Sequence, residues 1–122
     1  MKKAALHHSF TIFVALLALW TAPAFAHAVV VSSSPAPQES VAGPDLDIEL
    51  QFNSRVDAAR SRLRLAKPDG SVANVPAAAD SESDRLEGHV EGLAPGKYRL
   101  LWQTLSVDGH ITHGEIPFEV SR

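Results

Sequence analysis

The stretch that decides the fold is DLDIELQFN, Asp45 to Asn53. Leu46, Ile48, Leu50 and Phe52 alternate strictly with polar neighbours. Successive side chains of an extended chain point to opposite faces, so the pattern predicts a strand with one buried and one wet face. Working outward, RLRLA at Arg62 to Ala66 repeats the alternation with Leu63 and Leu65. KPDG, Lys67 to Gly70, has Pro second and Gly fourth, as a β-turn prefers, so Ser71 to Val75 is expected to pair back as a hairpin. Pro76 to Ser83 reads as a polar loop, and Arg85 to Val90 as a weaker strand with Leu86 and Val90 on one face. APGKY, Ala94 to Tyr98, is a turn feeding YRLLWQTL, Tyr98 to Leu105. That run is apolar on both faces and is expected to be a central strand. GEIPFEV, Gly114 to Val120, alternates again, and Pro117 predicts an edge or a bulge there. Five to seven short strands without a convincing helix place the chain in the all-β class, as a β-sandwich or small barrel.

Before this domain, the 122-residue chain carries a different pattern. Lys2 and Lys3 are followed by the uncharged, mostly apolar run Phe10 to Trp20, and then by Ala24-Phe25-Ala26. A positive start, a short apolar run and an A-x-A site are the parts of a secretory signal peptide. The run is too short for a spanning helix, which needs about 20 residues. Residues 1–26 are therefore read as a cleaved leader and 27–122 as one small exported domain. Losing two lysines shifts the net charge from −3 to −5, which argues against nucleic-acid or anionic-membrane partners. There is no cysteine, so neither disulfides nor thiolate ligands are available.

Cleavage after Ala26 makes His27 the first residue, with a free α-amine beside its imidazole. Amine and Nδ1 together close a six-membered chelate ring on one cation. Two further donors lie in SVDGHITHG, Ser106 to Gly114: Asp108 and His110 are two apart, sharing a face if the backbone is extended. D-x-H alone is a weak signal. With His27 it offers three nitrogens and one oxygen, a set that suits tetragonal Cu(II) better than tetrahedral Zn(II). The only methionine is Met1, so no sulfur remains after cleavage for Cu(I) or a blue-copper centre. His113 is a candidate accessory ligand, but its parity relative to His110 favours a surface histidine. His89 reads as solvent-facing between Glu87 and Glu91. Glu49 and Glu115 can orient an imidazole, though a solvated face is the simpler reading. Tyr98 and Trp102 are expected in the core.

HAVVVSSSPAPQESV, DIELQFNSRVD and YRLLWQTLSVDGHITHGEIPFEV together resemble the CopC family of copper-binding periplasmic proteins, over essentially all of residues 27 to 122. The resemblance implies a Greek-key β-barrel or Ig-like sandwich of about seven strands. It implies one Cu(II) per chain, held by His27 through amine and imidazole, Asp108 and His110. It further implies a periplasmic role in carrying, buffering or sequestering copper, as a monomer, with an inner-membrane transporter of the CopD type as partner. Many members add a Met-rich loop for Cu(I), which this sequence lacks. The competing class is a copper redox enzyme resembling the lytic polysaccharide monooxygenases, which also begin with a chelating histidine. Asp108 in the fourth equatorial position, where oxygen must bind, argues against it, as does a domain too small for a flat aromatic surface.

Overall fold

The computed structural model describes residues 28–78 and 84–122. These form nine strands: β1 (Val30–Ser34), β2 (Ser40–Ala42), β3 (Leu46–Phe52), β4 (Arg62–Ala66), β5 (Val72–Val75), β6 (Ala77–Ala78), β7 (Arg85–Val90), β8 (Gly96–Leu105) and β9 (Ile111–Ser121). A single 3-10 turn, Ala58–Arg60, precedes β4, with the Asp57 side chain accepting from the Arg60 N–H. One sheet has the order β1-β3-β7-β6 and the other β2-β9-β8-β4-β5. All described pairings are antiparallel except β2 with β9. The all-β expectation holds, and the architecture is a β-sandwich.

Alternation explains most of the packing. Ile48, Leu50 and Phe52 of β3 are buried, as are Leu86 of β7, Leu63 and Leu65 of β4, and Ile116, Phe118 and Val120 of β9. Burying each such side chain contributes about 1.5–3 kcal/mol, so this shared layer is the main source of stability in a domain without disulfides. The KPDG hairpin forms as expected: the Gly70 N–H donates to the Lys67 carbonyl at 3.0 Å, and β4 pairs with β5 from Leu63–Val75 to Ala66–Val72.

Five expectations need correction. Strand β8 is central, third of five, yet it is one-faced: Tyr98, Leu100 and Thr104 are buried while Lys97, Arg99 and Gln103 are exposed. Of the loop expected over Pro76 to Ser83, residues 79–83 lie outside the described residues, and Ala77–Ala78 form the two-residue strand β6, which pairs with Gly88 and Glu87 of β7. β9 begins at Ile111, before Gly114. The strand count exceeds seven because β1, β2 and β6 lack a readable pattern. Pro117 is neither at a bulge nor on an outermost strand. Its carbonyl accepts from Gln38 N–H at 2.7 Å, so its nitrogen faces away from β8. On that side β2 pairs only with Glu119 to Ser121, so the missing N–H costs no ladder bond.

Candidate metal centre

Strands β8 and β9 are joined by five residues, Ser106 to His110. The loop closes on itself: Ser106 N–H donates to the His110 carbonyl at 2.8 Å, and Gly109 N–H to the Ser106 carbonyl at 2.9 Å. Gly109 has φ +93°, a left-handed conformation that glycine adopts without steric cost. Ser106 is 4% exposed and bridges back to Val56, so the loop is rooted in the core.

This turn brings Asp108 and His110 together. Asp108 Oδ1 accepts from the Ser106 hydroxyl, from the His110 backbone N–H at 3.3 Å, and lies 3.1 Å from His110 Nδ1. The side chains of Asp108 and His110 remain 41% and 53% exposed, so the pair faces solvent. The contact arises from a tight turn, not from the extended alternation expected of D-x-H. The Ser106 hydroxyl above all, and then the His110 side chain and N–H, hold the Asp108 carboxyl down to about 2. A carboxylate held this low is an anionic donor throughout the neutral range. Ser106 is the residue that the spacing argument missed. It stands in the same S-x-D-G-H run, but its role depends on burial, which spacing does not reveal.

His27, the expected chelating residue, lies outside the described residues, as does the leader. Its neighbour Ala28 is 1% exposed and firmly held. The Ala28 carbonyl accepts from Thr112 Oγ1 at 3.1 Å, and Thr112 Oγ1 in turn is 2.9 Å from Thr104 Oγ1. Val29 N–H donates to Asn53 Oδ1 at 2.8 Å, while Asn53 N–H donates to the Val29 carbonyl at 3.0 Å. Ala28, the first described residue, is thus bonded to Thr112, which follows His110 by two positions in the sequence. Among the described residues, no three His, Asp or Glu side chains gather closely enough to hold a metal; Asp108 and His110 are a pair.

The remaining candidates are dispersed. His113 is exposed on β9, in register with Gln103. His89 sits on β7 with Nδ1 2.6 Å from Asp47 Oδ1 and Nε2 3.3 Å from Glu91, and the Asp47 bond raises its pKa. Glu49 is 3.8 Å from Arg85, and Glu115 is bound to Arg99 at 2.9 Å, so both are matched to arginines. Tyr98 is buried, stacks on Phe118 and donates its hydroxyl to the Ala94 carbonyl at 2.7 Å. Trp102 is only partly buried and packs edge-on against Phe52, with ring centroids 5.5 Å apart.

Comparison with known proteins gives a consistent result. The family model of the CopC domain matches residues 30–121. The copper resistance protein C of Xanthomonas campestris pv. juglandis is 30% identical over 119 residues, covering 90% of this chain and 92% of that protein. The copper transport protein CutJ of Bacillus subtilis is 26% identical over 104 residues, covering 80% of this chain but only 19% of that longer protein. Among solved structures, CopC from Methylosinus trichosporium OB3b superposes with a TM-score of 0.70 at 28% identity, covering 78% of this chain and 94% of that one. PcoC of Escherichia coli, described as a methionine-rich copper resistance protein, gives 0.61 at 30% identity, covering 79% and 100%. With a family model matched over residues 30–121 and a matching sandwich, this chain belongs to the CopC family.

Proposed function

We propose that the mature chain, residues 27–122 after removal of the leader, is a periplasmic Cu(II)-binding protein that carries, buffers or sequesters copper without catalytic turnover. One observation carries the reading: Asp108 and His110 are preassembled in a loop rooted in the core. Their 3.1 Å Oδ1···Nδ1 separation is close to that of two neighbouring ligands on one metal. Donor bonds of about 2.0–2.2 Å at roughly right angles span about 3 Å. A cation entering there bridges the two donor atoms in place of their direct contact. The anchoring of Ala28 by Thr112 supports His27 as the source of the other two donors, its amine and imidazole. Three nitrogens and one carboxylate oxygen favour Cu(II). Unlike PcoC, described as methionine-rich, this chain has only Met1, which leaves with the leader. The cargo is therefore one Cu(II) and not Cu(I), and an inner-membrane transporter of the CopD type is the proposed recipient.

The test is an EPR spectrum of tag-free protein, its N-terminus at His27 verified by mass spectrometry, with one equivalent of Cu(II). The expected result is a single tetragonal, nitrogen-rich signal that saturates at one ion per chain. A spectrum of aqueous Cu(II), or a mature N-terminus elsewhere, overturns the reading.

A further inference from the structure

The two outer faces of the sandwich carry opposite charge. On the four-stranded sheet, the outward positions of β3 and β7 hold Asp47, Glu49 and Glu87 against Arg85, which is already 3.8 Å from Glu49 and 4.0 Å from Asp84. On the five-stranded sheet, β4 and β8 turn Arg62, Arg64, Lys97 and Arg99 outward, against Glu115 and Glu119 of β9. Arg99 is taken by Glu115, and Lys97 stands opposite Glu119 in register. Arg62 and Arg64 have no acidic partner among the described residues. They flank a solvent-open depression of about 360 Å³, shared with Asn74, Leu101 and Gln103. In a chain of net charge −3, two such neighbouring arginines facing a polar hollow run against the overall balance.

The geometry points to this face as a docking surface for an extended acidic segment of a partner protein. Arg62 and Arg64 are two residues apart on one strand, so their backbone positions lie about 6.8 Å apart. That equals the spacing of alternate residues in another extended chain, so the matching ligand carries Asp or Glu at every second position. Guanidinium groups bind carboxylates in a planar, two-bonded fashion. The amides of Asn74 and Gln103 beside them suit a polypeptide backbone, while Glu115 and Glu119 on the same face oppose a uniformly anionic membrane. The partner lies alongside the metal loop, because Gln103 is two residues before Leu105, where β8 enters it. The docking surface stands on charge and spacing alone. That its partner gives or takes copper rests on the function proposed above.

The experiment uses metal-free mature protein, so its outcome is independent of copper binding. A peptide alternating glutamate and serine is titrated into isotope-labelled protein and followed by NMR, beside a peptide of the same composition with its glutamates contiguous. The expected result is a set of shifts confined to Arg62, Arg64, Asn74 and Gln103, stronger for the alternating peptide and weakened by salt. Arg62→Glu/Arg64→Glu should weaken binding about tenfold or more, and Arg85→Glu on the opposite face should not. Arg62→Gln/Arg64→Gln serves if the reversed pair fails to fold, and should still reduce affinity. Shifts spread over both faces, or no loss in the arginine variants, overturn the proposal. So does arginine-dependent binding to phosphatidylglycerol vesicles without binding to the peptide, which assigns the face to a membrane. Salt-sensitive dimerisation in sedimentation, abolished by the same variant, assigns it to a second copy's acidic face instead.

Discussion

Replacing Ser106 by alanine separates the hydrogen-bonded loop from the metal it is proposed to serve. The Ser106 hydroxyl is the largest influence holding Asp108 near about 2, and His110 supplies the rest. Without the hydroxyl, the Asp108 pKa should rise from about 2 towards 3.8, stopping short because the His110 donors remain. The sign follows from linkage: a carboxylate with a depressed folded pKa stabilises above its unfolded value and loses that contribution as pH falls through the folded one. In the unmodified protein the contribution is complete above about pH 4 and gone below about pH 2. In the variant it is smaller and lost at higher pH. Ser106 Oγ also accepts from His110 N–H at 3.2 Å. Losing one neutral bond of this kind costs about 0.5–1.5 kcal/mol, and each kcal/mol lowers Tm by about 4–8 °C in so small a domain. NMR titration of the Asp108 carboxyl carbon, with thermal melts in the absence of metal, reads both quantities. Cu(II) affinity should fall as well. An Asp108 that still titrates near 2 in the variant refutes Ser106 as the group that organises the loop.

Three other outcomes follow from the same geometry. Gly114→Ala places a Cβ 2.7–2.8 Å from the Trp102 ring, which Phe52 backs, so calorimetry should show a loss of about 1–3 kcal/mol. Asp108→Ala should weaken Cu(II) binding and change its EPR parameters, whereas His113→Ala, on the outward side of β9, should leave both nearly unchanged by titration. Asp47→Asn removes the main cause of the raised His89 pKa. In the unmodified protein the charged His89 contribution is present below about pH 6.5 and disappears as pH rises through the raised value, so the NMR midpoint of His89 should drop in the variant.

What could be read in advance follows from where the physics is local. Leu46, Ile48, Leu50 and Phe52 announce β3 because one of its faces is buried and the other wet, and alternation is the direct imprint of that. β1 and β2 leave no such imprint. VVSSS mixes exposed and half-buried positions without strict period, and SVA is three residues long. β6 hides behind Pro76 in a run of alanines, where only pairing with β7 defines it. Asp108 and His110 were legible as residue types, but the contact between them depends on Gly109 turning left-handed and on a buried Ser106, neither of which spacing records. The charge of the two faces was invisible for a similar reason. A net charge sums over residues that the two sheets place on opposite sides.

The role proposed for His27 depends on a covalent fact: its nitrogen must be an amine. One glycine added before His27 turns that nitrogen into an amide, which is a poor neutral donor, whereas a free α-amine deprotonates near about 7.7–8.0. The joint bite of amine and Nδ1 is then lost, and three separate ligands remain. The fold should not notice. From Ala28 onward the chain is held by Thr112 and Asn53 and by the buried Ala28 side, all downstream of the insertion. The extended protein should therefore melt at the same temperature without metal, yet bind Cu(II) much more weakly and with altered EPR parameters. The native protein should release protons on binding, so its affinity should fall below neutral pH, where α-amines and imidazoles as classes take up protons. Asp108, held near about 2, contributes nothing to that fall. In the extended protein the share of the amine disappears from the pH profile. Calorimetric titration in buffers of different ionisation enthalpy counts those protons directly. Equal proton release and equal affinity with and without the added glycine would show that the amine is not a ligand, and would leave Asp108 and His110 to bind copper without it.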